Sequence, residues 1–439
     1  MEILVLDTIH GGTELAGALA RAGHRVDTVD VYRGEEGIPP QQAARGRYDL
    51  LVAPVHLDPS YPLLSQVQAP RITHHGAVRM LLSGKTPHPM VEVTGARGKT
   101  TTAHAIAHGL KGPGVQARGA PSPVQRGPCP PGQEEPLRAP SPLADPSSFG
   151  PGILHTSPGT FRYPERRLLW RRSITPASVI PAAAEAAKIG GWLVAEESLG
   201  VTGAGDVAVL SSAEDYRMAA GRRSALAAKL EGMRDAPVAV VPEGVRFDHP
   251  RLVDAGEAVT WDGERFTYDH NGIRGEFRNP LGELDAYRSA ISLAAAALCA
   301  LGIDPAPLAT FAGVEGRLSL ERKDGVIIVD NSNSGTTAET TDDAASYARA
   351  ASAGGWITLV IGEEDRTVCE GFPPEAMAGS IRRIHPDRLI LVGERGRGVR
   401  PEGFGKRVAY TDTLEAGRAL ALRETPAGGA VVLAVKTWR

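Results

Sequence analysis

The residues Thr94-Gly95-Ala96-Arg97-Gly98-Lys99-Thr100-Thr101 carry the clearest chemistry in this chain. They follow the apolar run Met90–Val93 and lead into AHAIAHGL, which reads as a helix. Glycines at a strand-to-helix junction let the backbone approach a ligand, and the first amides of the helix then face an anion. Lys99 would add a point charge for the β- and γ-phosphates of a nucleotide, and Thr100 a hydroxyl for Mg²⁺. The standard phosphate loop places Gly six positions before its Lys. Here that position is Val93, so the loop is a contracted form. The plain alternative is a glycine turn that happens to precede a basic residue. The coincidence of strand, Gly-x-x-Gly-Lys-Thr-Thr and helix argues against it.

Histidine is the second signal. Eight of the 12 histidines precede residue 109: His10, His24, His56, His74, His75, His88, His104 and His108. His10 stands with Gly11 and Gly12 in a strand-to-helix turn, and His74-His75 follow a strand and open a helix. In a doubly wound sheet such turns line the ligand crevice, so His10, Gly11, Gly12, His56, His74 and His75 are candidate contacts for a bulky polyanionic substrate or a metal within it. The bland reading is scattered surface or capping histidines. His104 and His108 are four apart on one helix face but lack the acid of a zinc signature.

Three units would position these groups. EILVLD, HRVDTVDVY, DLLVAP and PRIT read as strands separated by helical segments, which predicts a parallel sheet with helices on its faces over 1–88. A second unit, 89–309, holds the phosphate loop, a helix from Pro176 through Lys188, the strands 191–196 and 207–210, and a nearly all-apolar helix ending at Leu301. The third, 310–439, has strands at 326–330, 356–361, 388–392 and 430–435. The stretch 112–164 holds 13 of the 34 prolines and promises little regular structure, with order expected to resume at Arg167 and its core, about 112–152, a disordered insertion.

Composition removes several functions. With 48 basic and 51 acidic residues the net charge is −3, so no basic field exists to hold nucleic acid. Cys129, Cys299 and Cys369 are odd in number and far apart, which supports neither a disulfide framework nor a cysteine metal cluster. No apolar run approaches the roughly 18–20 residues of a membrane span. MEILVLD lacks the basic start of a signal peptide, so a reducing cytoplasm is the expected compartment. Lysine occurs 8 times, leaving 40 arginines, which slightly favours specific tasks for Lys99, Lys229 and Lys436.

The contracted Thr-Gly-x-x-Gly-Lys-Thr-Thr loop resembles that of the Mur ligase family, whose members activate a carboxylate as an acyl phosphate and join it to a nucleophile. Ile174-Thr175-Pro176-Ala177 is similar to the family's Thr-Thr-Pro segment. Glu196-Glu197-Ser198 is similar to its Glu-x-Ser strand end, whose first acid helps hold Mg²⁺. Lys229 lies near the position of a carbamylated lysine that ligates a second Mg²⁺. Gly313-Val314-Glu315-Gly316-Arg317 resembles the start of the third domain, where Arg317 would reach the nucleotide, and Asp330 resembles the acid just beyond. The resemblance covers residues 90–439. It implies a three-domain Mur-ligase-like α/β architecture: a Rossmann-like N-terminal domain, a central P-loop ATPase domain and a Rossmann-like C-terminal domain that closes on ATP. It also implies ATP and Mg²⁺ as cofactors, catalytic roles for Lys99, Glu196 and Lys229, and ATP contacts from Thr94 through Thr101 with Arg317 and Asp330.

Some positions depart from the family. Tyr216 replaces a usual His, and Gly282-Glu283-Leu284-Asp285-Ala286-Tyr287-Arg288 stands where the family carries Gly-x-His-Asn-x-x-Asn. LVLDTIHGG, THH, HTSPGTFRY at 155–163 and EESLGVTGAGD at 196–206 look like one branch of the family, found in methanogenic archaea. That branch closes a carbocyclic ketone ring on a seco nickel tetrapyrrole by attack of a carbon on an activated propionate. It would make the tetrapyrrole the small-molecule partner of a monomer or homodimer, with neither nucleic acid nor membrane. Thr156, Ser157 and Arg162 then join the substrate contacts, with Arg166, Arg167, Arg171 and Arg172 as carboxylate clamps or a solvated rim. Two alternatives stay open: an amide-forming member, such as a pseudomurein or other amino-acid ligase, and a non-catalytic nucleotide-binding subunit.

Overall fold

The computed structural model describes residues 1–111, 150–352, 355–364, 371–400 and 407–437. They form two compact units, Met1–Phe311 and Ala312–Arg439. The fold is α/β throughout, built on parallel sheets.

The first unit opens with β1 (Glu2–Leu6), α1 (Gly12–Arg21), β2 (Arg25–Val29), the single turns α2 (Pro40–Ala43) and α3 (Leu63–Gln66) either side of β3 (Leu50–Ala53), then β4 (Arg71–Thr73) and α4 (His74–Leu82). The strands pair in parallel in the order β2-β1-β3-β4. β1 and β3 are apolar on both faces and buried, as a covered parallel sheet requires.

A second sheet follows from β5 (Met90–Thr94) and α5 (Lys99–Leu110), then β6 (Gly152–Thr156), β7 (Gly159–Tyr163), β8 (Arg167–Trp170), α6 (Pro176–Lys188), β9 (Trp192–Glu196) and β10 (Val207–Leu210). A two-residue ribbon, β11 (Arg217–Met218) and β12 (Arg223–Ser224), leads to α7 (Ala225–Met233), β13 (Val238–Val241) and β14 (Leu252–Asp254). The order is β14-β13-β10-β5-β9-β6-β7-β8, parallel up to β6 and antiparallel beyond it. After α8 (Ala255–Ala258), β15 (Val259–Trp261), β16 (Phe266–His270) and β17 (Ile273–Phe277) make a small antiparallel sheet, and α9 (Asp285–Ala300) packs against α5. At that crossing a Cβ on Gly109 would stand 2.4 Å from a Leu298 methyl, so glycine sets the helix spacing. Ile3, Val5, Leu15, Leu19, Val52, Val78, Val179 and Leu193 share one buried core, so the first two sheets are joined through α1, α4 and α6.

The expectation for 112–164 needs correction at its C-terminal end. Residues 112–149 lie outside the described residues, and with them most of the insertion expected at about 112–152 and Cys129. From Gly152 the chain forms the hairpin β6–β7, well before Arg167. Pro151, Pro158 and Pro164 lie between or beyond strands, where a missing amide costs no ladder bond. The short runs between them are buried: Ile153 and Leu154 are fully covered, and β6 pairs with β9. Proline density marked the punctuation of a hairpin there.

The second unit holds β18 (Ser319–Lys323), β19 (Val326–Asp330), α10 (Ala338–Ala351), β20 (Ile357–Glu363), α11 (Pro374–Ile384), β21 (Arg388–Val392), α12 (Gly393–Arg397), β22 (Val408–Thr411), α13 (Leu414–Glu424) and β23 (Ala430–Lys436). Its order is β18-β19-β23-β20-β21-β22, with only the edge strand β18 antiparallel. Cys299 is a buried free thiol, and no helix of the described residues is long and apolar enough to cross a membrane.

Candidate active site

Thr94 ends β5 and Lys99 opens α5, so residues 95–98 make the whole turn. Gly95 has φ 151° and Gly98, capping the helix, φ 77°. At Gly95 a Cβ would meet the Ser211 hydroxyl at 2.1 Å, so no side chain fits. The Ser212 hydroxyl accepts the amides of Ala96 and Arg97 at 3.0 Å each, and Ser211 donates its hydroxyl to the Arg97 carbonyl. The Arg97 guanidinium grips Glu214 with two N–H donors. Lys99 Nζ donates to the Gly95 carbonyl at 3.2 Å, folded back over its own loop. Thr101 follows in the first turn of α5. Ser211 and Ser212 were not singled out for a role from sequence; the available signal was a serine pair directly after an apolar strand.

The strand register brings the acid to the loop. Val93 pairs with Glu196 and Thr94 with Leu210, so the carboxyl end of β9 flanks Thr94. Glu196 is 2% exposed. Its Oε2 accepts the Thr100 hydroxyl at 2.7 Å and the Ser157 amide at 3.0 Å, and Ser157 Oγ lies 3.3 Å from Thr100 Oγ1. A solvated surface acid is therefore excluded. Glu197 turns the other way: it is fully buried, and desolvation and the adjacent Glu92 carboxylate raise its carboxyl well above the usual range. Glu92 accepts Thr202 and Gly205 amides, tying the loop after β9 to β5.

Lys229 lies on α7 and is fully buried, not on the surface. Its Nζ has no hydrogen-bond partner among the described residues and sits 4.6 Å above the Tyr216 ring centre. Burial and the positive charge of Lys99 push the amine down to about 8. Tyr216, in the place of a His, contributes its aromatic face here.

The other candidates divide. Thr156 is buried and donates its hydroxyl to the Gly159 carbonyl within the β6–β7 turn, while Arg162 on β7 is half-buried. Arg172 pairs with Glu14 on α1 at 2.9 Å. His74 Nε2 is engaged by the Leu6 carbonyl at 3.0 Å and His75 Nε2 by the Ser198 carbonyl at 3.1 Å, and both rings are buried. Those two histidines fasten elements together. His10 and His56 meet at the C-terminal edge of the first sheet, with ring centres 4.7 Å apart. His10 Nδ1 is 3.1 Å from Asp7 Oδ2, and that contact raises its pKa, whereas burial pushes His56 down to about 4. Asp7, unassigned from sequence, was visible only as the acid closing an apolar strand. Gly11 has φ 87°, and Gly12 starts α1 directly over the Asp7 carbonyl, where a Cβ would stand at 1.5 Å.

Arg317 and Asp330 belong to the second unit. Arg317 donates its amide to Val314, and Asp330 closes β19, 6% exposed, accepting the Ser332 amide at 2.9 Å.

Residues 320–437 match the family described as coenzyme F430 synthetase CfbE, C-terminal domain. The coenzyme F(430) synthetase of Methanosarcina acetivorans is 29% identical over 488 aligned positions, covering 96% of each chain. Among solved structures, the UDP-N-acetylmuramoylalanyl-D-glutamyl-2,6-diaminopimelate–D-alanyl-D-alanyl ligase of Acinetobacter baumannii superposes with a TM-score of 0.54 at 15% identity, covering 88% of this chain and 81% of that one. A second structure, of MurF from Acinetobacter baumannii, gives a TM-score of 0.53 at 14% identity over 93% and 86%. These two establish the fold. The sequence matches add a likeness to the coenzyme F430 synthetases, which supports an ATP-dependent ligase on a Mur-ligase fold.

Proposed function

We propose that this ligase activates a propionate of a seco nickel tetrapyrrole acid with ATP and closes a carbocyclic ketone ring by intramolecular carbon–carbon bond formation, giving coenzyme F430, ADP and phosphate. The sequence likeness supports the substrate. The observation that carries the chemistry is the cluster of Thr100, Ser157 and Glu196 at the phosphate loop, with the buried amine of Lys229 on α7, which has no hydrogen-bond partner among the described residues.

The residues fit Mg²⁺. Thr100 and Glu196 offer the hard oxygens this ion takes, and a buried, partly neutral amine such as Lys229 is the kind that adds CO₂ to present two more. Bound there, Mg²⁺ would neutralise charge on the transferring phosphoryl group. The geometry supports the following part for the chain's own residues. Gly95 and Gly98 bring backbone amides to the phosphates, and Ser212 yields the amides of Ala96 and Arg97 as they turn to the nucleotide. Lys99 exchanges the Gly95 carbonyl for phosphate oxygens. A substrate carboxylate oxygen attacks the γ-phosphorus and ADP leaves. The substrate carbon, having lost its proton, attacks the acyl phosphate carbonyl, and phosphate leaves. His10, Gly11, Gly12, His56, Ser157 and Arg162 are assigned to the substrate side. His74, His75 and Thr156 act on it through the elements they fasten. Arg317 and Asp330 are assigned to ATP on the family resemblance.

Incubation with Mg-ATP and the seco nickel tetrapyrrole acid should yield a product lighter by one water, with one phosphate released per ring closed. Phosphate release driven by amino acids, with the tetrapyrrole unchanged, would instead establish an amide-forming ligase.

A further inference from the structure

The C-terminal edge of the first sheet holds a cluster that the phosphate-loop chemistry does not use. Asp7 immediately follows β1, fully buried, at φ 92°, a conformation that non-glycine residues rarely hold without compensation. Its Oδ1 accepts the amides of Ile9 at 2.8 Å and His10 at 3.1 Å, so the acid fixes the turn that carries His10. Its Oδ2 faces His10 Nδ1. His56 arrives from the loop after β3, and Tyr32, from the segment after β2, stacks on it with ring centres 5.8 Å apart and planes 11° apart. His56 Nε2 is buried without a hydrogen-bond partner among the described residues. One ligating atom from each of Asp7, His10 and His56 lies within 4.8 Å of the others.

We propose that Asp7, His10 and His56 form a binding site for one divalent first-row transition-metal ion. Two imidazoles and one carboxylate are the donors that Zn²⁺, Co²⁺, Ni²⁺ or Fe²⁺ takes, whereas Mg²⁺ prefers an all-oxygen set. Metal–nitrogen bonds of about 2.0–2.1 Å put tetrahedral donors about 3.4 Å apart. The Asp7–His10 contact at 3.1 Å is near that spacing already. His10 is 47% exposed in its side chain, and its ring already meets His56 edge-on. Three protein donors leave one position for water or another oxygen ligand. The site stands apart from the phosphate loop, which belongs to the other sheet, and does not depend on the ligase reading; in that reading the bound ion, rather than the bare imidazoles of His10 and His56, would face the substrate.

The test uses untagged full-length protein, stripped with chelator and titrated with Co²⁺ in millimolar Mg²⁺. One equivalent should bind with the visible absorption of a four- or five-coordinate ion and raise the thermal midpoint. His10→Ala and His56→Gln should each weaken binding at least about 10-fold, and Lys99→Ala should leave it unchanged. Circular dichroism checks that each variant is folded. His10→Ala changes a half-exposed side chain, so it reports even where His56→Gln unfolds. No stoichiometric Co²⁺, or equal affinity in wild type and His10→Ala, would overturn the proposal.

Discussion

Each functional side chain in the phosphate-loop cluster is held by a named neighbour, and that decides what its loss does. Lys99→Ala removes one point charge and one flexible contact to Gly95, so phosphate release should fall about 10²–10³-fold while the melting temperature barely moves. Glu196→Ala differs. It leaves the Thr100 hydroxyl and Ser157 amide without their acceptor, so activity and about 1–3 kcal/mol of stability should go together in urea unfolding. Lys229→Ala should abolish turnover, and added formate or acetate should restore part of it if the lysine works as its carbamate. Carbon-13 NMR of protein in labelled bicarbonate should show a carbamate signal that grows as pH rises through about 8, where the amine loses its proton. A lysine serving only as packing would give neither rescue nor signal.

At the level of elements, short backbone approaches fix where the site residues stand. The start of α1 lies so close to the Asp7 carbonyl that Gly12→Ala puts a carbon into backbone rather than a flexible side-chain tip. It should cost about 1–3 kcal/mol or more in equilibrium unfolding and displace His10 along with the turn. The β6–β7 hairpin has the same importance for Ser157, which reaches Glu196 only because β6 adds to β9 in register. α4 is capped by the Thr73 hydroxyl on the Gly76 amide, which holds His74 and His75 at their carbonyl partners.

At the scale of the whole molecule, histidines are held neutral at more than one packing seam: His75 against the Ser198 carbonyl, and half-buried His108 on α5 against Pro307 and Thr310. Burial pushes His75 down to about 3 and His108 to about 4, against about 6.5 unfolded. Below pH 6.5 these two imidazoles bind more protons in the unfolded chain, so their contribution to stability is full above 6.5 and is lost as pH falls through the window from 6.5 toward 4 and below. Thermal melts should show that decline. His108→Gln should flatten it by removing one of the titrating groups.

The sequence alone determined the phosphate loop, the alternation of strands and helices, and the family likeness, because these are local patterns of period, glycine and charge. Thr94 through Thr101 lie where their order placed them, and Glu196 closes its strand. What the linear order could not decide is which side chains meet. Glu196 and Glu197 are adjacent and chemically alike, yet β9 points one at Thr100 and buries the other beside Glu92, since successive strand residues face opposite sides. Nothing in the residues around Lys229 marks it as buried, and only packing removes it from water. Asp7, His10 and His56 are brought together by parallel pairing of β1 with β3, which sets residues 47 apart in the chain side by side, Val5 opposite Val52. Pairing of that kind depends on tertiary burial of both sheet faces, which no local window of sequence records.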